Sequence, residues 1–297
     1  MPKRRSRLRN RAEQIGFELA LALLRRLSLE RAERLGRGAG SLFRVLAGRR
    51  RVLAERNLSR AFPEKGEAEI VDLSKNVFAH FGGVAAELLW SLDETQEELL
   101  ARVVIEGENR ARAAFAAGRG LFFLTAHLGN WEVGAVVTAS LGLPLTVVVR
   151  PLDNPLLEER LKSFRERSGN RVLPKADAAR EILRTLRKGG AIGILTDQHA
   201  HPPDSVVSTF FQRPASTTSS LARLADRTEA LILPTFALRT APGRYRLVFG
   251  EPLDVRTLTP EERTVPALTA RVNAICEEMV RRHPEQWLWL HNRWRLD

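Results

Sequence analysis

The sequence predicts an α/β fold with a mainly parallel central sheet, helices on both faces and an N-terminal helical extension. Three observations predict it. From Val103 onward, short apolar runs alternate with helical patterns. Several of those helical patterns stop at a glycine: Gly118, Gly142, Gly169 and Gly189. The first 60 residues, by contrast, read as helices only and hold 17 Lys/Arg against 5 Asp/Glu, while the other 237 residues carry 30 of each. The predicted organisation is a basic helical arm over 1–60, suited to a membrane surface, followed by an α/β domain over 61–297.

In order, Phe17, Leu21, Leu24 and Leu27 share a helical face, and Leu35, Leu42 and Leu46 follow. Arg49-Arg50-Arg51 marks a break or a surface cluster, and Pro63 ends the arm. A second helical stretch, 70–90, contains Gly82-Gly83, which would admit another backbone or a lipid chain, or mark a kink. Strands are expected at 103–106, 121–126, 145–149, 171–173 and 191–196, with helices at 109–117, 131–141, 155–168 and 176–188 between them. Residues 198–215 read as a long loop and 217–228 as a helix. Strands at 230–238 and 244–249, joined by Ala241-Pro242-Gly243, suggest an antiparallel addition, and 260–282 reads as a helix.

A single cysteine, Cys276, excludes a disulfide scaffold and a Cys-based zinc site. The net charge of +12 resides in the N-terminal arm, a pattern that binds anionic lipid, nucleic acid or acidic proteins. No zinc-finger, RNA-binding or basic-zipper pattern accompanies it, which argues against nucleic acid. The apolar run 15–24 carries Glu18 and falls short of the roughly 20 residues needed to span a bilayer. It reads as a segment lying in the membrane interface, or as a helix packed on the core.

Candidate chemistry gathers where strands end. His127-Leu128-Gly129-Asn130-Trp131-Glu132 follows the strand 121–126 and opens a helix, the place where open α/β sheets put their sites. A histidine with a carboxylate nearby suits a general base and its partner; the same residues would also make a capped helix entry. Residues i and i+5 are not neighbours on one helix face, so Asp197, at the end of the strand 191–196, competes with Glu132 to orient His127. The backbone of Gly129-Asn130 could hold an oxyanion. Arg150 and Asn154, in a proline-bounded turn, suit a phosphate or sugar headgroup, with Asn154 also a helix cap. Gln198 adjoins Asp197, and Thr217 sits among hydroxyl residues whose helix entry could bind an anion. Phe210 and Phe211 would line an apolar channel or be core. His199, His201 and Asp204 lack a metal-binding motif, and no metal or cofactor is expected. The C-terminal tryptophans would pack beside the site or form an interfacial belt.

Taken together, Asn57-Leu58 with Ala61-Phe62-Pro63, the His127–Glu132 run, Arg150-Pro151-Leu152-Asp153-Asn154-Pro155, Asp197-Gln198, the Phe210–Thr218 block and Pro284–Arg295 resemble the bacterial lipid A late acyltransferases of lauroyl/myristoyl type. The resemblance covers nearly the whole chain. It implies transfer of a fatty acyl group from an acyl carrier protein or coenzyme A thioester to a hydroxyl of a membrane glycolipid, at the cytoplasmic face of the inner membrane. The family's catalytic His-x4-Asp/Glu falls on His127 and Glu132. Glycerol-phosphate acyltransferases share that motif but place a Phe-Pro-Glu-Gly block after it; here Phe62-Pro63-Glu64-Lys65 precedes His127. Other membrane lipids as acceptors (lysophospholipid, ornithine lipid, phosphatidylinositol mannoside), or a non-catalytic lipid-binding role, remain as alternatives.

Overall fold

The computed structural model describes residues 6–174 and 178–296. Lys3, Arg4 and Arg5, and the helix start expected at Ala176, lie outside the described residues. Three helices come first: α1 (Arg7–Arg25), α2 (Leu29–Leu46) and α3 (Gly48–Ala61). Ser6 and Ser28 cap the first two, accepting from the N–H groups of Arg9 and Arg31. The break falls at Ala47, just before the arginine cluster. Helix α4 (Glu67–Ser91) then packs across α2 at backbone contact. A Cβ added to Gly40 would lie 2.1 Å from the Phe78 carbonyl oxygen, and one on Gly82 would lie 2.2 Å from that of Gly36. The close approach expected at Gly82 is therefore to α2.

A short helix, α5 (Gln96–Leu100), leads into the sheet. Its strands are β1 (Val103–Glu106), β2 (Leu121–Thr125), β3 (Leu145–Val149), β4 (Arg171–Pro174), β5 (Ala191–Leu195), β8 (Leu231–Ala241) and β9 (Arg244–Phe249), in spatial order β1-β9-β8-β2-β5-β3-β4. The run β8-β2-β5-β3-β4 is parallel; β9 returns antiparallel to β8, and β1 pairs parallel with β9. Between the strands lie α6 (Glu108–Ala116), α7 (Trp131–Ser140), α8 (Pro155–Glu166), α9 (Ala178–Arg187) and α10 (Ser220–Thr228), and α11 (Val265–Arg282) follows the sheet. Alternation along β2 sorts the two cores. Phe122 and Leu124 face α3, α4, α9, α10 and α11, whereas Leu121 and Phe123 face α5, α6, α7 and α8.

Two stretches depart from the sequence reading. The expected loop 198–215 contains a hairpin, β6 (Ser205–Phe210) and β7 (Arg213–Thr218), so Thr217 lies in a strand and α10 begins only at Ser220. Phe211 and Gln212 form its two-residue turn with φ of 51° and 56°, a connection usually given to Asn-Gly. The buried Phe211 ring, edge-on to Phe62 at 5.4 Å, offsets that backbone cost. The last α-helix starts at Val265 rather than 260, with Pro266 in its first turn.

Candidate active site

Strands β2 and β5 run side by side in parallel, with Thr125 opposite Leu195. Each strand then gives its next-but-one residue to the same edge of the sheet: His127 from one, Asp197 from the other. Asp197 is buried and accepts three hydrogen bonds, from His127 Nδ1 to Oδ1 (2.9 Å), His127 N–H to Oδ2 (2.8 Å) and Trp287 Nε1–H to Oδ2 (2.7 Å). Burial pushes its pKa up, but the imidazole charge and these donors outweigh burial and hold the carboxylate below its usual range. Burial likewise pushes His127 down, and the facing Asp197, with a smaller contribution from Glu132, overcomes it and raises the imidazole above its ordinary value. With Nδ1 committed to Asp197, the basic lone pair belongs to Nε2, which lies 3.3 Å from Gln198 Nε2. The Trp131 ring meets the imidazole edge-on at 4.9 Å.

The turn between His127 and α7 is held by its backbone. Gly129 has φ +62°, and a Cβ there would lie 2.1 Å from the Ala237 carbonyl oxygen, so only glycine fits. Its N–H donates to the Gln286 carbonyl (3.0 Å), and that of Asn130 donates to the Ala237 carbonyl (2.9 Å). Both donors expected to hold an oxyanion are thus occupied by structure. The Asn130 side chain caps α7, accepting from Val133 N–H at 3.2 Å. Leu128 bridges to Trp287, and Leu288 N–H donates to the His127 carbonyl, so the C-terminal segment fastens the turn from its other side.

Glu132 does not orient the imidazole. It forms a two-pronged ion pair with Arg165 of α8, at 2.6 and 2.8 Å, largely shielded from solvent. Asn154 caps α8 through Leu156 N–H and donates to the Asn10 carbonyl and Glu13 Oε2; its polar atoms tie α8 to α1 rather than facing a ligand. Arg150 borders an open cavity of about 360 Å³ whose other walls include Glu13 and Asp153, a mixed-charge groove rather than a cationic one. Thr217 is fully buried, its hydroxyl taking Arg293 Nη2 (2.7 Å) and Asn273 Nδ2 (3.1 Å), so that hydroxyl is engaged within the protein rather than presented at a helix entry. Phe210 and Phe211 are core, packed among Phe62, Trp287, Trp289 and Trp294. Cys276 is buried on α11, where burial raises its thiol pKa far above usual. His199 N–H donates to His291 Nε2, and no group of three or more His, Cys, Asp or Glu side chains among the described residues could hold a metal ion.

Sequence reasoning missed Arg165 and the role of Trp287 as a donor to Asp197. The latter carried one signal, a tryptophan-rich C-terminus, which read only as packing beside the site.

A histidine hydrogen-bonded to a buried carboxylate, at the carboxyl edge of a parallel sheet, is an arrangement that can serve acid–base chemistry. The chain belongs to the bacterial lipid A biosynthesis acyltransferase family, whose model matches residues 6–296. It is similar to the lipid A biosynthesis lauroyltransferase of Escherichia coli (strain K12), at 30% identity over 88% of this chain and 84% of that one. It is also similar to the palmitoleoyltransferase and myristoyltransferase of lipid A biosynthesis from the same strain, each at 27% identity over 88% and 86% of this chain and 84% and 77% of theirs. Among solved structures, the 1-acyl-sn-glycerophosphate acyltransferase from Thermotoga maritima shares a TM-score of 0.38 and 16% identity over 84% of this chain and 98% of that one.

Proposed function

We propose that the protein moves a fatty acyl chain from a thioester, on an acyl carrier protein or coenzyme A, to a hydroxyl of a lipid A precursor, with His127 as general base. The observation that carries this reading is the Asp197–His127 pair, which fixes the proton on Nδ1 and leaves Nε2 basic. Nε2 takes the proton of the acceptor hydroxyl as its oxygen attacks the thioester carbonyl. The tetrahedral oxyanion collapses, the ester forms, the carbon–sulfur bond breaks, and the imidazolium returns the proton to the leaving thiolate. With the Gly129 and Asn130 donors taken, the first-turn N–H groups of Trp131 and Glu132, which no helix carbonyl can reach, are the donors left beside the turn for that oxyanion. Glu132, paired with Arg165, adds negative field that favours the imidazolium. Purified protein given an acyl thioester and a lipid A precursor should produce acceptor one acyl chain heavier together with free thiol. Acylation only of a lysophospholipid or ornithine lipid would move the reading to that acceptor; lipid binding with no turnover would end it.

Histidine must be neutral to accept the proton. Because Asp197 raises its pKa above the ordinary 6.5, kcat/KM should climb with pH through a midpoint above that value. A pH–rate profile checks this; a midpoint below 6 would contradict it.

The family is membrane-associated, and no helix among the described residues is long and apolar enough to cross a bilayer. Helix α1 supports attachment at the membrane surface. Its inner face, Leu21 and Leu24, is buried, and Glu18, which interrupts the apolar run, lies 4.0 Å from Arg160 of α8. Leu8, Ile15, Leu19 and Leu23 form a second, exposed stripe, spaced to lie along one side of the helix. Ile15→Glu combined with Leu19→Glu should release the protein from anionic vesicles in a sedimentation assay while leaving its circular dichroism unchanged. Full retention on the vesicles would exclude the α1 stripe.

A further inference from the structure

The hydrogen bonds of Asn130 lead from the site into a buried polar cluster that the acid–base chemistry does not use. Asn130 Nδ2 donates to the hydroxyl of Tyr245, the chain's single tyrosine, at 3.2 Å. Tyr245 donates to Glu87 Oε2 at 2.7 Å, and Glu87 also accepts from Gly243 N–H (2.7 Å) and from Arg239 Nε (2.9 and 3.1 Å). Arg239 reaches on to Glu33 of α2 at 2.6 Å. Asn130, Tyr245, Glu87 and Glu33 are all at most 2% exposed.

Directionality makes this a chain with one reading. The hydroxyl has one proton, spent on Glu87, so it meets Asn130 with a lone pair. Burial beside Glu87 lifts the phenol pKa well above usual, so that proton stays in place at any working pH. The Asn130 amide is then fixed at both ends, its oxygen on Val133 N–H and its nitrogen on Tyr245. The Arg239 segment holds the same turn a second way. Gln286 brackets the Arg239 peptide, accepting from its N–H and donating to its carbonyl, while the Gln286 carbonyl takes Gly129 N–H. A buried carboxylate is a poor means of simply holding helices to a sheet, since apolar packing would do as well. What it supplies here is the orientation of one amide at the start of α7, and with it the placement of His127 on one side and Glu132 on the other.

We infer that Glu87 and Tyr245 are positioning residues for the acyl transfer proposed above, acting through Asn130 on the His127–Glu132 turn. The inference rests on that reading of the site. Tyr245→Phe removes only the hydroxyl and leaves Asn130 Nδ2 without its acceptor. At a temperature where both proteins are fully folded by circular dichroism, kcat should fall about tenfold with KM within about twofold of wild type, the loss expected of a displaced reacting group. Asn130→Ala should also lower kcat, and Tyr245→Phe combined with it should be no slower than Asn130→Ala alone, because the two changes cut one chain. Glu87→Gln, which keeps an acceptor for the phenol, should lose less than Glu87→Ala. Wild-type kcat in Tyr245→Phe, or a double variant slowed by the product of the single losses, would overturn the inference. If Tyr245→Phe does not fold, the same cycle run with Glu87→Gln and Asn130→Ala decides the matter. His127→Ala measured alongside separates the two claims. Full activity there ends the general-base reading and the inference with it, whereas an inactive His127→Ala beside a fully active Tyr245→Phe ends the inference alone.

Discussion

Asp197→Asn is expected to lower acyl transfer by about 10³–10⁴-fold, as much as losing the histidine itself. The two side chains have the same shape, so the loss arises from protons. Asp197 meets three N–H donors: two share Oδ2, and the third, from the imidazole, takes Oδ1. Asparagine offers one oxygen and one NH2 group. The amide oxygen belongs at the Oδ2 position, where His127 N–H and Trp287 Nε1–H converge. Its NH2 group then faces His127 Nδ1 and requires a lone pair there. The imidazole proton moves to Nε2, the nitrogen that has to accept the proton from the acceptor hydroxyl. His127→Ala removes the base outright and should cost a comparable factor. NMR of the His127 ring adds a second measurement. Because the carboxylate raises the imidazole pKa, Asp197→Asn should lower it, and by more than Glu132→Gln does, since Asp197 contributes more to the shift. A rate within tenfold of wild type for Asp197→Asn, or a larger pKa change in Glu132→Gln, would return the orienting role to Glu132.

The difference between those two carboxylates shows what could be read from the chain alone. Apolar runs such as 121–126 and 191–196 declare strands because both of their faces are buried, and the histidine and aspartate that follow them are visible as strand ends. That the two strands are neighbours in register is a tertiary fact; it converts a separation of 70 residues into a 2.9 Å hydrogen bond. Offset along a helix argued only that Glu132 was awkwardly placed. Its actual partner, Arg165, is 33 residues away on another helix and left no mark in the local pattern. Thr217 and the 205–218 hairpin were misread for a different reason. Their turn is Phe211-Gln212, without glycine, asparagine or proline, and its left-handed backbone is held by packing of Phe211 against Phe62 and Trp289 rather than by turn chemistry. Hydroxyl residues 216–219 resembled a helix entry, yet Thr217 serves to seat the buried Arg293.

Gly82→Leu should lower stability by about 3 kcal/mol, and Tm on the order of 5–10 °C, although leucine is by far the better helix former. A Cβ at position 82 would sit 2.2 Å from the Gly36 carbonyl oxygen and 2.8 Å from the backbone of Gly40, and backbone cannot swing aside as a side chain can. Helix α2 would have to move away from α4 along its whole crossing. Gly38, on the same helix, is the control. It is exposed, and a Cβ there meets nothing within 4 Å, so Gly38→Ala should hold or raise Tm by removing backbone freedom from the unfolded chain. The displacement also has a chemical consequence, because α2 brings Glu33 to Arg239 while α4 itself carries Glu87. Pulling α2 away strips one carboxylate from the guanidinium but leaves Glu87, Tyr245 and Asn130 joined. The folded fraction of Gly82→Leu should therefore retain most of its kcat at low temperature, unlike Tyr245→Phe, which breaks the chain next to Asn130. Thermal melts with turnover measured well below the transition read both quantities. An unchanged Tm would show that the α2–α4 crossing has room that the backbone distances deny, and a kcat loss matching that of Tyr245→Phe would show that Glu33, not Glu87, anchors the cluster.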